Sequence, residues 1–134
     1  MTEFRRDLLI YKLPPVLYAL AIMSLSLYSK TSPPIDFGVA WEDKIYHFLE
    51  YLFFGLLIFR AFPQVWLSEK KRFWLTLMTL FGLCYAAFDE VVQYFVPGRD
   101  SAVGDWAADA LGYLIAALVM ILWYGKRRTH VDKL

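Results

Sequence analysis

Four apolar segments, each bounded by clustered charges, constrain this chain more than any other feature. They cover about 13–28, 45–62, 73–95 and 105–124. As helices, the second would reach roughly 27 Å and the third roughly 34 Å at about 1.5 Å per residue. A hydrocarbon core is about 30 Å thick, so both lengths suit a crossing with some tilt. Hydrophobic residues make up 59% of the 134, about 79 in number, close to four spans of about 20 residues each. A soluble chain of this size carries roughly 45–50% apolar residues. The expected fold is therefore all-α, an integral-membrane four-helix bundle forming one domain over 1–134. The formal charge of +1 gives no basic excess and argues against a nucleic-acid partner. Cys84 is the one cysteine, which excludes an internal disulfide and a multi-cysteine zinc site.

Orientation follows from where the cations lie. Arg5, Arg6 and Lys12 precede the first segment, and Arg60, Lys70, Lys71 and Arg72 lie between the second and third. Lys126, Arg127, Arg128 and Lys133 follow the fourth. The other two loops hold only Lys30 with Lys44, and Arg99. The positive-inside rule thus predicts N-in/C-in, with both termini cytoplasmic. Aromatic residues mark the boundaries: Tyr11, Trp66, Trp74, Trp123 and Tyr124 inside, Tyr28, Trp41 and Trp106 outside. The exit Ser26-Leu27-Tyr28-Ser29-Lys30 lacks a small-x-small cleavage site, so the first segment is expected to be retained. Pro14 and Pro15 are expected in its first turn, where a missing N–H costs least. Cys84 and the aromatics Phe53, Phe54, Phe81 and Phe88 read as packing or lipid-facing residues.

The polar residues that break the apolar pattern gather at one end. Asp43, His47 and Glu50 stand at i, i+4 and i+7, one helical face, with Lys44 and Tyr51 beside it. Asp89 and Gln93 are one turn apart with Glu90 adjacent, Pro97-Gly98-Arg99 forms a turn, and Asp105 and Asp109 are again one turn apart. By the predicted topology all lie toward the extracytoplasmic side. Charge inside a bilayer costs about 2.5–3.5 kcal/mol at a helix centre, so these groups should face one another. Gly104, Ala108, Gly112 and Ala116 recur every fourth residue, as do Gly82, Ala86 and Glu90. Such stripes let helices approach closely. The third and fourth helices are expected to pack antiparallel, bringing Glu90 and Gln93 near Asp105 and Asp109. Ser101 is the expected N-cap of the fourth.

These elements, Asp43-Lys44-x-x-His47-x-x-x-Tyr51, Asp89-Glu90-x-x-Gln93-x-x-x-Pro97-Gly98-Arg99 and Asp105-x-x-x-Asp109-x-x-Gly112, resemble the VanZ-like family over roughly residues 43–116. One departure stands out: Asp109 occupies a position where the family usually has Asn. The resemblance implies a bacterial plasma-membrane protein. Its namesake is associated with resistance to teicoplanin, a lipid-tailed glycopeptide that acts at the outer face.

Six carboxyls, Asp43, Glu50, Asp89, Glu90, Asp105 and Asp109, face Lys44, Arg99 and His47. They cannot all be charged in a low-dielectric site unless a cation joins them. Carboxylate and amide oxygens suit Mg²⁺, Mn²⁺ or Ca²⁺. Three functions fit. The first is binding of membrane lipids, lipid-linked envelope intermediates or a lipoglycopeptide, with Lys44, Glu50, Tyr51, Gln93, Arg99 and Asp109 around the headgroup. The second is a hydrolase or transferase on a lipid phosphate. There His47, oriented by Asp43, would act as general acid or base with Glu90 as a further catalytic carboxylate. Asp89, Glu90 and Asp105 would hold the metal, and Arg99 would stabilise oxyanion charge. The third is a proton- or ion-coupled transporter, which with four short helices would require a homo-oligomer.

Overall fold

The computed structural model describes residues 2–28, 41–99 and 102–131, with side chains through Lys126. The expected N-cap, Ser101, lies outside the described residues, as does the His130 side chain. Four long helices carry the fold, and no strand occurs among the described residues. Helix α1 covers Glu3–Ser26, α2 Glu42–Ala61, α3 Lys71–Tyr94 and α4 Val103–Val131. A short 3₁₀ turn, Pro63–Leu67, leads from α2 toward α3.

Three of these, α1, α3 and the Val103–Lys126 part of α4, are long and apolar enough to cross a membrane. Their outward faces are apolar, with Leu20 60%, Phe88 55% and Leu118 54% exposed. Apolar surface on this scale needs lipid or protein to cover it. Helix α2 has the length but not the composition, since Asp43, Lys44, Glu50 and Arg60 are spread along it. Of these, Lys44 reaches Asp105 on α4 and Arg60 the Ile10 carbonyl on α1.

Side-chain contacts fix the packing direction of each helix. Lys12 Nζ donates to the Ala61 carbonyl at 2.5 Å and Tyr18 stacks on Phe54 at 6.4 Å, so α1 and α2 run antiparallel. The Tyr85 hydroxyl donates to the Ala19 carbonyl at 2.7 Å and Gln93 reaches Ser26 at 3.4 Å, so α3 runs with α1. Lys44 pairs with Asp105 at 2.9 Å while Gly55 meets Ala116, so α4 runs with α2.

The small-residue stripe of α4 therefore has a different main partner from the one expected. A Cβ on Gly112 would strike the Phe48 carbonyl of α2, and one on Gly55 would come 2.6 Å from the Ala116 Cβ. The intimate pair is parallel α2/α4, because each helix supplies a glycine where the other's backbone or Cβ comes closest. The stripe of α3 does meet α4, but through a ring: Tyr113 lies over Gly82 and donates to the Met78 carbonyl at 2.9 Å.

Helix α1 begins earlier than expected, at Glu3, where the Thr2 hydroxyl accepts from the Arg5 amide at 3.4 Å. Pro14 and Pro15 consequently fall inside the helix rather than in its first turn. The turn before them, Leu8–Lys12, widens to a π-helix. Pro14 has no N–H for the Ile10 carbonyl four residues back. Arg60 Nη1 supplies that bond instead, at 3.0 Å.

The aromatic residues divide between core and outer surface. Trp66, expected at a membrane boundary, is covered by protein: it is 6% exposed, stacked on Tyr124 with centroids 4.4 Å apart, its indole N–H donating to the Phe59 carbonyl at 3.3 Å. Phe54 is core, whereas Phe53, Phe81, Phe88 and Cys84 face outward.

Candidate functional site

The alternating helix directions bring the last turns of α1 and α3 to the same end as the first turns of α2 and α4. That end carries the polar residues. Asp89 and Asp109 are fully buried there, and Glu90, Gln93, Asp105 and Ser26 are nearly so.

Two networks divide the site, with a surface pair at its edge. The first is centred on Asp89. The Ser26 hydroxyl lies in hydrogen-bonding reach of Asp89 Oδ1 and of the Ile22 carbonyl at 3.1 Å. One hydroxyl hydrogen serves one acceptor at a time. Gln93 Nε2 approaches Asp89 Oδ2 at 3.3 Å and Ser26 Oγ at 3.4 Å. Gln93 thus turns toward α1, not toward Asp105 and Asp109 as expected. Ser26 is the functional-site residue that sequence reading missed. Its signal was a pair of hydroxyls, Ser24 and Ser26, closing an apolar run at the end where the acids gather.

The second network joins α2, α3 and α4. His47 Nδ1 lies 3.0 Å from Asp109 Oδ1 and 4.0 Å from Glu90 Oε1. Ligand atoms of His47, Glu90 and Asp109 all fall within 4.8 Å of one another. The expected metal set is therefore regrouped. Asp89 is engaged with Ser26 and Gln93, Asp105 with Lys44, and the carboxylate beside Glu90 is Asp109. Asp43 does not orient His47; it is exposed and pairs with Lys44. The fully buried Tyr51 ring packs edge-on against Phe54 at 5.9 Å, and Glu50 sits half-buried on the same helix.

At the edge, in the first turn of α2 ahead of the apolar stretch, Lys44 bridges Asp43 at 3.0 Å and Asp105 at 2.9 Å. Partial burial presses the Asp43 carboxyl upward, but the hydrogen bonds and charge of Lys44 outweigh it and hold it below its usual range. The hydrogen bond to Asp105, then that to Asp43, raises the Lys44 ammonium. Both groups are thus charged at neutral pH.

Arg99 is set by the expected turn. Its amide bonds the Val96 carbonyl at 3.2 Å, Pro97 follows Val96, and Gly98 has φ 80°. This is the pattern of a type II β-turn, whose third residue favours glycine. The Arg99 side chain is half-buried and makes no hydrogen bond or salt bridge within 4 Å among the described residues, although Glu50 is near enough to feel its charge.

A family model described as VanZ/LLP1 matches residues 15–124. The chain belongs to the VanZ/LLP1 family. The match extends from α1 into α4 and takes in both networks, Ser26 included. Neither the curated proteins nor the solved structures compared with the chain gave a match. In this VanZ/LLP1 chain, the apolar outward faces and three candidate crossings agree with a membrane protein of that type.

Proposed function

We propose that this chain binds a lipid-linked or amphiphilic molecule of the bacterial cell envelope at the extracytoplasmic face of the plasma membrane, reading an anionic headgroup. The observation that carries the reading is Arg99: a half-buried guanidinium, fixed by a β-turn at the polar end, with no salt bridge within 4 Å among the described residues. A guanidinium so held suits bidentate capture of a phosphate or carboxylate. The α2 and α4 N-termini lie at the same end and add partial positive charge. The acyl or polyprenyl tail would lie along the apolar outward faces.

The reading includes a topology. All four helices cross, both termini are cytoplasmic, and the polar end faces outward. Leu49 and Phe53 give α2 an apolar outward face, 41% and 54% exposed, while Lys44 and His47 turn to other helices. The distribution of cations supports the orientation: Arg5, Arg6, Lys12, Arg60, Lys70, Lys71, Arg72 and Lys126 lie at the end opposite the polar site.

The test is lipid retention by native mass spectrometry of protein released from nanodiscs containing equal polyprenyl phosphate and polyprenol. Wild type is expected to retain the phosphate preferentially, and Arg99→Ala to lose that preference about tenfold. Equal retention by both proteins would sink the reading. Teicoplanin added as competitor should displace the lipid if its headgroup uses the same site. Outside-only thiol labelling in a Cys84→Ala background should modify Ser101→Cys and spare Ser68→Cys; the reverse would overturn the topology.

A further inference from the structure

We propose that His47, Glu90 and Asp109 form a binding site for one divalent ion that accepts both imidazole nitrogen and carboxylate oxygen, Mn²⁺ or Zn²⁺. The site shares the polar end with Arg99 but rests on different atoms.

Geometry comes first. Donors to such ions stand about 2.0–2.4 Å from the metal, so two donors to one ion are separated by at most roughly twice that distance. The three ligand atoms lie within 4.8 Å of one another, with two pairs at 3.0 and 4.0 Å. One ion fits among them with small side-chain adjustments. The three come from α2, α3 and α4, one from each, so the ion would tie together helices that meet at this end.

The second observation is an unmet acceptor. Asp109 is fully buried, and its Oδ2 has no hydrogen-bond partner among the described residues. The contact from His47 engages only Oδ1. A buried carboxylate oxygen without a partner carries a desolvation cost, which a metal held by both Asp109 oxygens would remove. A His47–Asp109 ion pair alone leaves that oxygen unanswered.

Charge points the same way. Lys44 is engaged with Asp43 and Asp105, while Ser26 and Gln93, which contact Asp89, are neutral. Between Glu90 and Asp109 stands the imidazole of His47, 4.0 and 3.0 Å from their carboxylate oxygens. A divalent ion would balance the two carboxylates and leave the imidazole neutral, the form that ligates metals. The imidazole also narrows the choice of ion. Mg²⁺ and Ca²⁺ favour all-oxygen sites, whereas Zn²⁺ takes imidazole readily and Mn²⁺ tolerates a mixed set. Three protein ligands leave coordination positions for water or a substrate oxygen.

The test uses the full chain in nanodiscs, stripped with chelator and titrated with Mn²⁺. Loss of the free-ion electron paramagnetic resonance signal measures binding. One saturable Mn²⁺ per chain is expected, displaced by Zn²⁺ and showing echo modulation from an imidazole nitrogen. His47→Ala should abolish the modulation and weaken binding at least tenfold. Asp109→Asn, which keeps the side-chain shape, should weaken it similarly and carries the test if His47→Ala fails to fold. Glu69→Gln, in the exposed turn before α3, should bind as wild type. Absence of saturable Mn²⁺ and Zn²⁺ binding by wild type, or unchanged binding by Asp109→Asn, overturns the proposal. Arg99→Ala keeps the two readings apart: it should bind Mn²⁺ normally while losing lipid preference. A wild-type preference for the phosphate lipid in that variant, with intact Mn²⁺ binding, would overturn only the headgroup reading.

Discussion

The two ends of the helix packet are held by different physics. At one end Phe59, Trp66, Tyr113 and Tyr124 pack ring on ring, with centroid separations from 4.4 to 6.5 Å. At the other, Ser26, His47, Asp89, Gln93, Asp109 and their partners form directional contacts across all four helices. Lipid is as apolar as a leucine side chain, so the aromatic end gains little from burial itself and depends on shape. The polar end depends on pairing, because a buried polar group that loses its partner keeps the full cost of desolvation. Substitution should therefore be tolerated at the aromatic end wherever volume is kept, and at the polar end hardly at all.

The sharpest way to break this contrast is to compare His47→Ala with Met78→Leu in thermal unfolding of detergent-solubilised protein. His47→Ala removes the imidazole that contacts buried Asp109 and should cost about 3–5 kcal/mol. Met78→Leu, a volume-conserving change in the other half, should cost less than about 1.5 kcal/mol. Comparable losses would mean that the ends are not held differently.

Between the ends, Gly112→Val would drive a side chain into the Phe48 backbone. A cost of about 3 kcal/mol is expected, read as a lower midpoint or loss of monodisperse protein. A neutral result would remove α2/α4 from its place as the closest pair. Gly98→Ala, at φ 80°, should cost about 1–2 kcal/mol. It should also reduce the phosphate preference assigned to Arg99, although the guanidinium itself is retained.

The smallest effect belongs to Lys44. Its ammonium is 41% exposed, so Lys44→Ala should cost at most about 1 kcal/mol and less at high salt. Asp43 is held below its usual range, so its share of stability is present above the unfolded pKa and fades as pH falls through the lower folded value. Lys44 is raised, so its share is present below its unfolded pKa and fades as pH rises through the folded value. The wild-type advantage over Lys44→Ala should therefore be flat between about pH 5 and pH 9 and shrink outside that window. A steep change near neutrality would show that another titrating group controls the pair.

Much of this architecture was legible in the sequence, and what was not has identifiable causes. Helix existence was readable because apolar length and charge punctuation are properties of the chain. The convergence of Asp43, His47, Asp89, Glu90 and Asp109 on one end was readable because four alternating helices leave few arrangements. Which face met which was not. The Gly104–Gly112 stripe says only that something approaches closely, and the short loop to α3 pointed to the wrong main neighbour. Trp66 has the composition of an interface anchor, yet Tyr124 and Phe59 enclose it. Pro14 suggested a helix start until Arg60, distant in sequence, took over its missing hydrogen bond.

By itself the sequence determined that the chain is helical, that its segments suit a membrane, and that most of its acids and most of its bases gather at opposite ends. These follow from local composition and helical periodicity, which need no neighbour to be defined. Only the tertiary structure decided that His47 faces Asp109 rather than Asp43, that Ser26 completes the Asp89 network, and that Glu90 is grouped with Asp109 instead of Asp105. Each of these depends on the rotation and depth of one helix against another. That rotation is fixed by where glycines permit backbones to touch and where buried polar atoms find partners, contacts between residues far apart in the chain.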